Sequence, residues 1–173
     1  MIKVSVLGYG TVGSGVVEIL KENHALIQKR VGEEVALKYV LDLRDFPGDP
    51  VEEYLVHDFN IIAEDPEVQI VVETMGGIHP AYEFVKTCLE AGKSVCTSNK
   101  ALVAAYGPEL LELAKSKQAN FLFEASVGGG IPIIRPLNQS LTADEIDEIT
   151  GILNGTTNYM LTKMDTEGAD YDA

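Results

Sequence analysis

The sequence predicts an α/β protein, a doubly wound parallel sheet followed by the opening of a second, α+β region. Two observations and one general rule predict it. Short β-rich runs alternate with amphipathic helices of about 10–15 residues, the spacing of βαβ units. The right-handed crossover rule then puts helices on both faces of one sheet. The first strand also runs directly into a glycine-rich turn that opens a helix.

Each element follows in order. Lys3 to Leu7 is a short apolar run ending in glycine, the pattern of a buried strand. From Thr11 onward Val12, Val16, Ile19, Leu20 and Ile27 recur at helical spacing, and Gly32 stops that helix beyond Arg30. Val35 to Leu41 reads as the second strand, ended by Asp42 and the breakers Pro47, Gly48 and Pro50. Residues 49–64 give a short helix near Glu52–Val56. Gln69 to Glu73 is a strand closed by Gly76 and Gly77, and Pro80 starts a helix that carries Tyr82, Val85, Cys88 and Leu89 on one side until Gly92. Ser94 to Thr97 is a strand, Pro108 opens the next helix, and Phe121 to Ala125 is a strand again.

After Ala125 the texture changes. Ser126 to Gly130 is a glycine-rich turn, Ile131 to Leu141 reads as a helix with Pro132 near its start, and Ile146 to Leu153 as a strand. Thr156 or Thr157 caps a last helix through Met164. The reading therefore places a dinucleotide-binding domain at 1–130 and the beginning of a further domain, truncated, at 131–173. The latter is too short to build a core alone.

Composition narrows the function. Hydrophobic residues make up 46% of the chain, enough for a core, while 13 Lys+Arg against 27 Asp+Glu give a net charge of −14. Such a surface repels nucleic-acid phosphates and anionic lipid, which removes both as partners. No uncharged run reaches the roughly 18 residues of a membrane span. The start, Met1-Ile2-Lys3-Val4-Ser5-Val6, enters a strand without the build of a signal peptide. Cys88 and Cys96 lack metal-ligand spacing and read as reduced cysteines of a cytoplasmic protein.

Gly8-Tyr9-Gly10-Thr11-Val12-Gly13 is a G-x-G-x-x-G between a strand and a helix, the context that motif needs. Gly8 allows the tight turn, Gly10 lets backbone approach a pyrophosphate, and Gly13 lets helix and strand pack closely. The first helical turn, at Thr11 and Val12, supplies free N–H groups and a positive dipole end. Asp42, at the end of the second strand, is placed to hold ribose hydroxyls. It favours NAD over NADP by repelling a 2′-phosphate, whereas Arg44 argues the reverse. A solvated loop carboxylate is the plainer reading of Asp42.

Three further segments narrow the fingerprint: Val71-Val72-Glu73-Thr74-Met75-Gly76-Gly77, then Gly92-Lys93-Ser94-Val95-Cys96-Thr97-Ser98-Asn99-Lys100-Ala101-Leu102, then Glu124-Ala125-Ser126-Val127-Gly128-Gly129-Gly130-Ile131-Pro132-Ile133. In this order, and with Gly151-Ile152-Leu153-Asn154-Gly155-Thr156-Thr157-Asn158-Tyr159 after them, they resemble homoserine dehydrogenase. The resemblance covers essentially the whole chain. It implies a Rossmann domain followed by a dimerising, substrate-binding region, hence a homodimer. It also implies NAD(P)-dependent interconversion of L-homoserine and L-aspartate 4-semialdehyde, on the route to threonine, methionine and isoleucine.

The resemblance makes Lys100 the family's lysine near nicotinamide and substrate, where an ammonium polarises the carbonyl oxygen or orients the cofactor. Gly76 and Gly77 would let the nicotinamide end approach the backbone. Glu124, with backbone carbonyls at Val127, Gly129 and Ile131, would hold a monovalent cation, usually sodium; the plainer reading of Glu124 is a cap on the turn.

Some features depart from the family. Its substrate-binding acids and main catalytic lysine have no counterpart before Ala173. Leu41 stands where many members carry an arginine for the NADP phosphate, so the lean is toward NAD. His24, His57 and His79 fit no catalytic position and read as surface or capping histidines. A second hypothesis is thus a nucleotide-binding module that is catalytically incomplete as a 173-residue chain. Another semialdehyde or amino-acid reductase is a third, disfavoured by the Glu124–Ile133 turn.

Overall fold

Alternating residues of the first strand are buried on both sides, which puts that strand at the centre of the sheet. In the computed structural model, which describes residues 1–151 and 155–171, six strands lie parallel in the order β3-β2-β1-β4-β5-β6. They are β1 (Ile2–Leu7), β2 (Val35–Leu41), β3 (Leu55–Val56), β4 (Val68–Glu73), β5 (Ser94–Thr97) and β6 (Phe121–Leu122). Leu7 and Leu41 enter one apolar cluster with Val71, Val95, Leu89 and Leu110. Val6 and Val40 enter the other, with Val17 and Val51. The two-residue period of the strands thus feeds two cores, one on each face. β1 pairs with β2 on one side and β4 on the other, so the chain reverses its winding between β1 and β4. That reversal opens a crevice at the carboxyl ends of the strands.

The helices are α1 (Thr11–Glu22), α2 (His24–Val31), α3 (Asn60–Ala63), α4 (Ala81–Glu90), α5 (Lys100–Ser116), α6 (Ile134–Ser140) and α7 (Gly155–Glu167). The single helix expected from Thr11 to Arg30 is two, broken at Asn23, whose backbone leaves the helical region at φ −96° and ψ 15°. Asparagine competes for backbone hydrogen bonds and favours such breaks. Gly32 stops α2 in the left-handed conformation at φ 81°, as its position predicts.

Between β2 and β4 the expected helix at Glu52–Val56 is instead a 3₁₀ turn, Pro50–Tyr54, followed by β3. Asp49 caps the turn by accepting the Val51 amide at 2.8 Å, and Leu55 leaves it in an extended conformation to pair with Val40. The short α3 was not foreseen. α5 begins at Lys100, eight residues before Pro108, because the Asn99 side chain caps it by accepting the Leu102 amide at 3.1 Å. Pro108 then sits inside a 17-residue helix, where it forfeits one intrahelical bond. β6 is shorter than the expected Phe121–Ala125. Its partner β5 turns away after Thr97, and the chain closes at once into a 3₁₀ turn, Glu124–Ser126.

The chain divides into two compact units, Met1–Ile131 and Pro132–Ala173. In the second, the helix expected from Ile131 is shorter, running from Ile134 to Ser140, and α7 extends past Met164 to Glu167. Residues 146–151 form no strand, since among the described residues of that unit no strand lies beside them to pair with, and 152–153 of the same expected strand lie outside the described residues.

Gly13 fixes the distance between α1 and β1. A Cβ there would stand 1.9 Å from the Gly8 carbonyl oxygen, inside the range any real contact shows. Gly13→Ala is therefore expected to destabilise the chain by about 2 kcal/mol or more, read as a lowered urea midpoint at unchanged m-value.

Candidate functional site

β1 ends in the turn that carries the glycines. Gly8 takes a φ of +94°, its amide donates to the Leu41 carbonyl at 2.8 Å, and the Thr74 hydroxyl donates to the Gly8 carbonyl at 2.9 Å. The ends of β1, β2 and β4 are thereby tied into one edge. Gly10 precedes α1, and no side chain caps that helix, so its first-turn amides at Thr11, Val12 and Gly13 point outward unclaimed by any side-chain cap. A Cβ on Gly10 would meet no protein atom within 4 Å, unlike one on Gly13. Gly10 at φ −88° carries no backbone strain, and its missing side chain leaves the space in front of the α1 amides clear.

Asp42 lies beside this turn. Its Oδ2 accepts the Tyr9 amide at 2.8 Å, and its Oδ1 accepts the Arg44 amide at 3.0 Å and Arg44 Nε at 2.9 Å. The side chain is only 10% exposed. The Arg44 guanidinium, helped by the two amides and opposed by burial, holds the Asp42 carboxyl far below the ordinary carboxylate range. Asp42 is thus not a solvated loop acid; it fastens the β2 end to the glycine turn.

Gly8, Gly10, Asp42 and Gly76 line one cavity of about 480 Å³ together with Leu43, Phe59, Pro80 and Phe84. That size and largely apolar wall suit a small organic ligand. Phe59 and Phe84 stack at 3.9 Å between ring centroids, 7° from parallel, and form part of the wall. A more open groove of about 640 Å³ runs between α5 and β6, and none of the expected site residues lines it.

The neighbouring strand ends carry a buried polar chain. Glu73 is fully buried; its Oε1 accepts the Met75 amide at 2.8 Å and its Oε2 the Thr97 hydroxyl at 2.5 Å. Thr97 Oγ1 in turn accepts the Asn99 amide at 2.9 Å, and Asn99 Nδ2 donates to the Gly77 carbonyl at 2.5 Å. Lys100 is exposed at the first position of α5, next to Asn99, so its backbone is tied through that residue to the Gly76–Gly77 turn. Glu124 is half-buried at the start of its 3₁₀ turn, whose Val127 amide donates to the Glu124 carbonyl at 3.2 Å. The Ile131 amide donates to Gly128 at 3.1 Å, and a Cβ on Gly128 would fall 2.4 Å from the Ile131 oxygen. The structure thus gathers Gly8, Gly10, Asp42 and Gly76 in one cavity and leaves Thr11, Val12, Gly13, Lys100 and the Glu124 turn outside its lining.

Sequence reasoning missed His57. Its ring bonds to the Asp42 carbonyl at 2.7 Å and to Asp45 at 3.1 Å, and it lines the cavity while remaining half exposed. The bond to the Asp42 carbonyl, chiefly, raises its pKa. His24 and His79 are exposed beside Glu34 and Glu83 respectively. Thr74 and Asn99 were missed too, although Asn99 carried a legible signal, an N-cap residue ahead of an apolar run. Among the described residues no cluster of three or more His, Cys, Asp or Glu is placed to hold a metal, and no helix is long and apolar enough to cross a membrane.

A parallel sheet with this strand order, a glycine turn at its switch point and an acid at the end of β2 defines a dinucleotide-binding domain. Comparison with known proteins makes that class specific. The family model described as homoserine dehydrogenase, NAD binding domain, matches residues 8–124, and the one described as homoserine dehydrogenase matches 132–173. A homoserine dehydrogenase of Synechocystis sp. is 45% identical over 99% of this chain and 40% of its own length. That of Bacillus subtilis is 42% identical over the same shares. Among solved structures, a homoserine dehydrogenase from Thiobacillus denitrificans superposes with a TM-score of 0.89 at 40% identity, over 99% of this chain and 40% of that one. A hyperthermophilic archaeal homoserine dehydrogenase in complex with NADPH gives 0.82 at 31% identity, over 99% and 58%. The chain belongs to the homoserine dehydrogenase family and carries its NAD-binding domain, spanning about 40% of the length of these two curated relatives.

The Asp42–Arg44 bond carries a pH signature. A carboxyl whose pKa is lower folded than unfolded stabilises fully above its unfolded value, 3.8, and loses that contribution as pH falls below it. The stability gap between the wild type and Asp42→Asn, followed by urea unfolding, is expected to be constant from neutrality to about pH 5. It should then shrink as the solution is acidified through pH 4.

Proposed function

We propose that this chain is the nucleotide-binding part of a homoserine dehydrogenase, which interconverts L-homoserine and L-aspartate 4-semialdehyde in the biosynthesis of threonine, methionine and isoleucine. The observation that carries it is the open space at Gly10, in front of the uncapped α1 amides and beside Asp42. The residues fit a nicotinamide dinucleotide. Gly8, Gly10 and the first-turn amides of Thr11, Val12 and Gly13 hold the pyrophosphate. Asp42 takes the ribose hydroxyls, which favours NAD. The Gly76 turn, at a φ of +80°, leaves room for the nicotinamide end. When bound, the nicotinamide supplies the hydride acceptor for the alcohol carbon of homoserine. Lys100 acts as the catalytic cation, placing its ammonium at the substrate oxygen as the hydroxyl proton leaves.

Residues 131–173 open the catalytic and dimerisation domain. Tyr159, Leu161 and Met164 are exposed on α7, apolar surface that supports a homodimer. Glu124, with the carbonyls of Val127, Gly129 and Ile131, suits a sodium ion, because oxygen donors in a tight turn match a hard monovalent cation. The reading carries a cytoplasmic setting with it. As a chain covering about 40% of those relatives, it also supports the narrower reading of a nucleotide-binding module whose turnover needs further residues.

Two substitutions test the proposal. Gly10→Val should leave the melting temperature within a degree or two of wild type while abolishing NADH binding in a fluorescence titration; retained affinity would count against the phosphate cradle. In the whole enzyme, Lys100→Ala should lower kcat by roughly 10²- to 10⁴-fold with a smaller change in NADH affinity. An unaltered kcat would remove Lys100 from the chemistry.

A further inference from the structure

Position 99 asks more of its side chain than a helix cap does. Capping α5 needs one acceptor for the Leu102 amide, and serine or aspartate supplies that as well as asparagine. The Asn99 side chain makes a second bond, from Nδ2 to the Gly77 carbonyl at 2.5 Å. Aspartate has no donor for it, and the single oxygen of serine, one bond nearer the backbone, does not reach both partners. Asn99 is buried, so neither group has water to turn to instead.

Both ends of that bond are themselves held. The Met75 amide, just before the Gly76–Gly77 turn, donates to Glu73 Oε1 at 2.8 Å. The Asn99 amide donates to Thr97 Oγ1 at 2.9 Å, and that hydroxyl donates to Glu73 Oε2 at 2.5 Å. One buried carboxyl group thus holds the turn with one oxygen and the β5–α5 junction with the other, and Asn99 closes the ring from the far side. Lys100 stands directly on this ring, as the first residue of α5. No acid occupies the first turn of that 17-residue helix, and a cation there meets the positive end of its dipole, a place helix electrostatics disfavours. Among the described residues nothing bonds to the Lys100 ammonium, so the backbone alone sets where its side chain starts.

We propose that Asn99 is a positioning residue that sets Lys100 against the Gly76–Gly77 turn, joining the two through its side-chain amide. This rests on the reading of Lys100 as the catalytic cation and of that turn as the nicotinamide end. The amide fixes the separation between the turn beside the reacting ring and the Cα from which the ammonium extends. Cutting it leaves the helix cap and the cation in place but lets the two segments shift apart. A displacement of about 1 Å costs on the order of a hundredfold in rate. A residue that merely capped α5 would act on stability, with no dependence on what position 100 carries.

The test is a double-mutant cycle in the whole enzyme with Asn99→Ser and Lys100→Ala, after circular dichroism has shown each variant to be folded. Asn99→Ser keeps the cap and should lower kcat by roughly 10- to 100-fold, with a smaller change in NADH affinity. In the Lys100→Ala background the same substitution should lower kcat by less than about twofold, because a residue acting through the ammonium has nothing left to act on. Thr97→Val cuts the other tie and leaves the cap intact, and its cycle with Lys100→Ala should show the same non-additivity. An unaltered kcat in Asn99→Ser overturns the proposal, and so does an equal loss in both backgrounds for either substitution. A Lys100→Ala enzyme of wild-type kcat overturns the reading of Lys100 and this inference together.

Discussion

A carbonyl oxygen and an absent side chain set the distance between β1 and α1. The Gly8 carbonyl points at the spot where any residue but glycine at position 13 would carry its Cβ, and the Thr74 hydroxyl grips the same oxygen from the β4 side. The oxygen is thus gripped by Thr74 on one side and packed against α1 at Gly13 on the other, which holds the glycine turn in place. The first amides of α1 follow that turn with no side-chain cap on them, next to the cavity that Gly8 and Gly10 line. The dipole of a 12-residue helix then adds its positive end to the same place.

Around this fixed point the site is assembled from chain segments far apart in sequence. Asp42 reaches the Tyr9 amide across 33 positions, and Thr74 reaches Gly8 across 66. Each uses a short polar side chain at a strand end, where the ladder stops and backbone donors are left over. The acidic surface gives the setting of these contacts. A chain of net charge −14 keeps a cation, Arg44, at the wall of its cavity by pairing it with a carboxylate that is almost buried.

What could be read from the residues depended on how local the physics was. The parallel sheet, the glycine turn and the helix stop at Gly32 follow from patterns a few residues long, and the structure contains them. The start of α5 did not, because proline at 108 advertised a helix beginning while the cap at Asn99 was one residue in an unremarkable Ser-Asn-Lys. β6 was overextended because its length is decided by where β5 turns away, a fact absent from Phe121-Leu122-Phe123 itself. From sequence His57 reads as a surface or capping histidine; its part in the cavity comes from β3 pairing with β2, which brings it beside the Asp42 carbonyl. Glu73 could be placed on a strand, but its partner Thr97 belongs to the next strand, and Asn99, which bonds to Thr97, to the cap of α5.

The chain of bonds from Asn99 through Thr97 to Glu73 has a further meaning for binding. Each side chain along it has a hydrogen-bond partner within the protein, and it joins the end of β4, the end of β5 and the first residues of α5. A guest arriving at the Gly76–Gly77 turn meets a floor that is already rigid. The entropy of ordering these strand ends is spent during folding, so affinity at this edge of the sheet is not reduced by freezing them a second time.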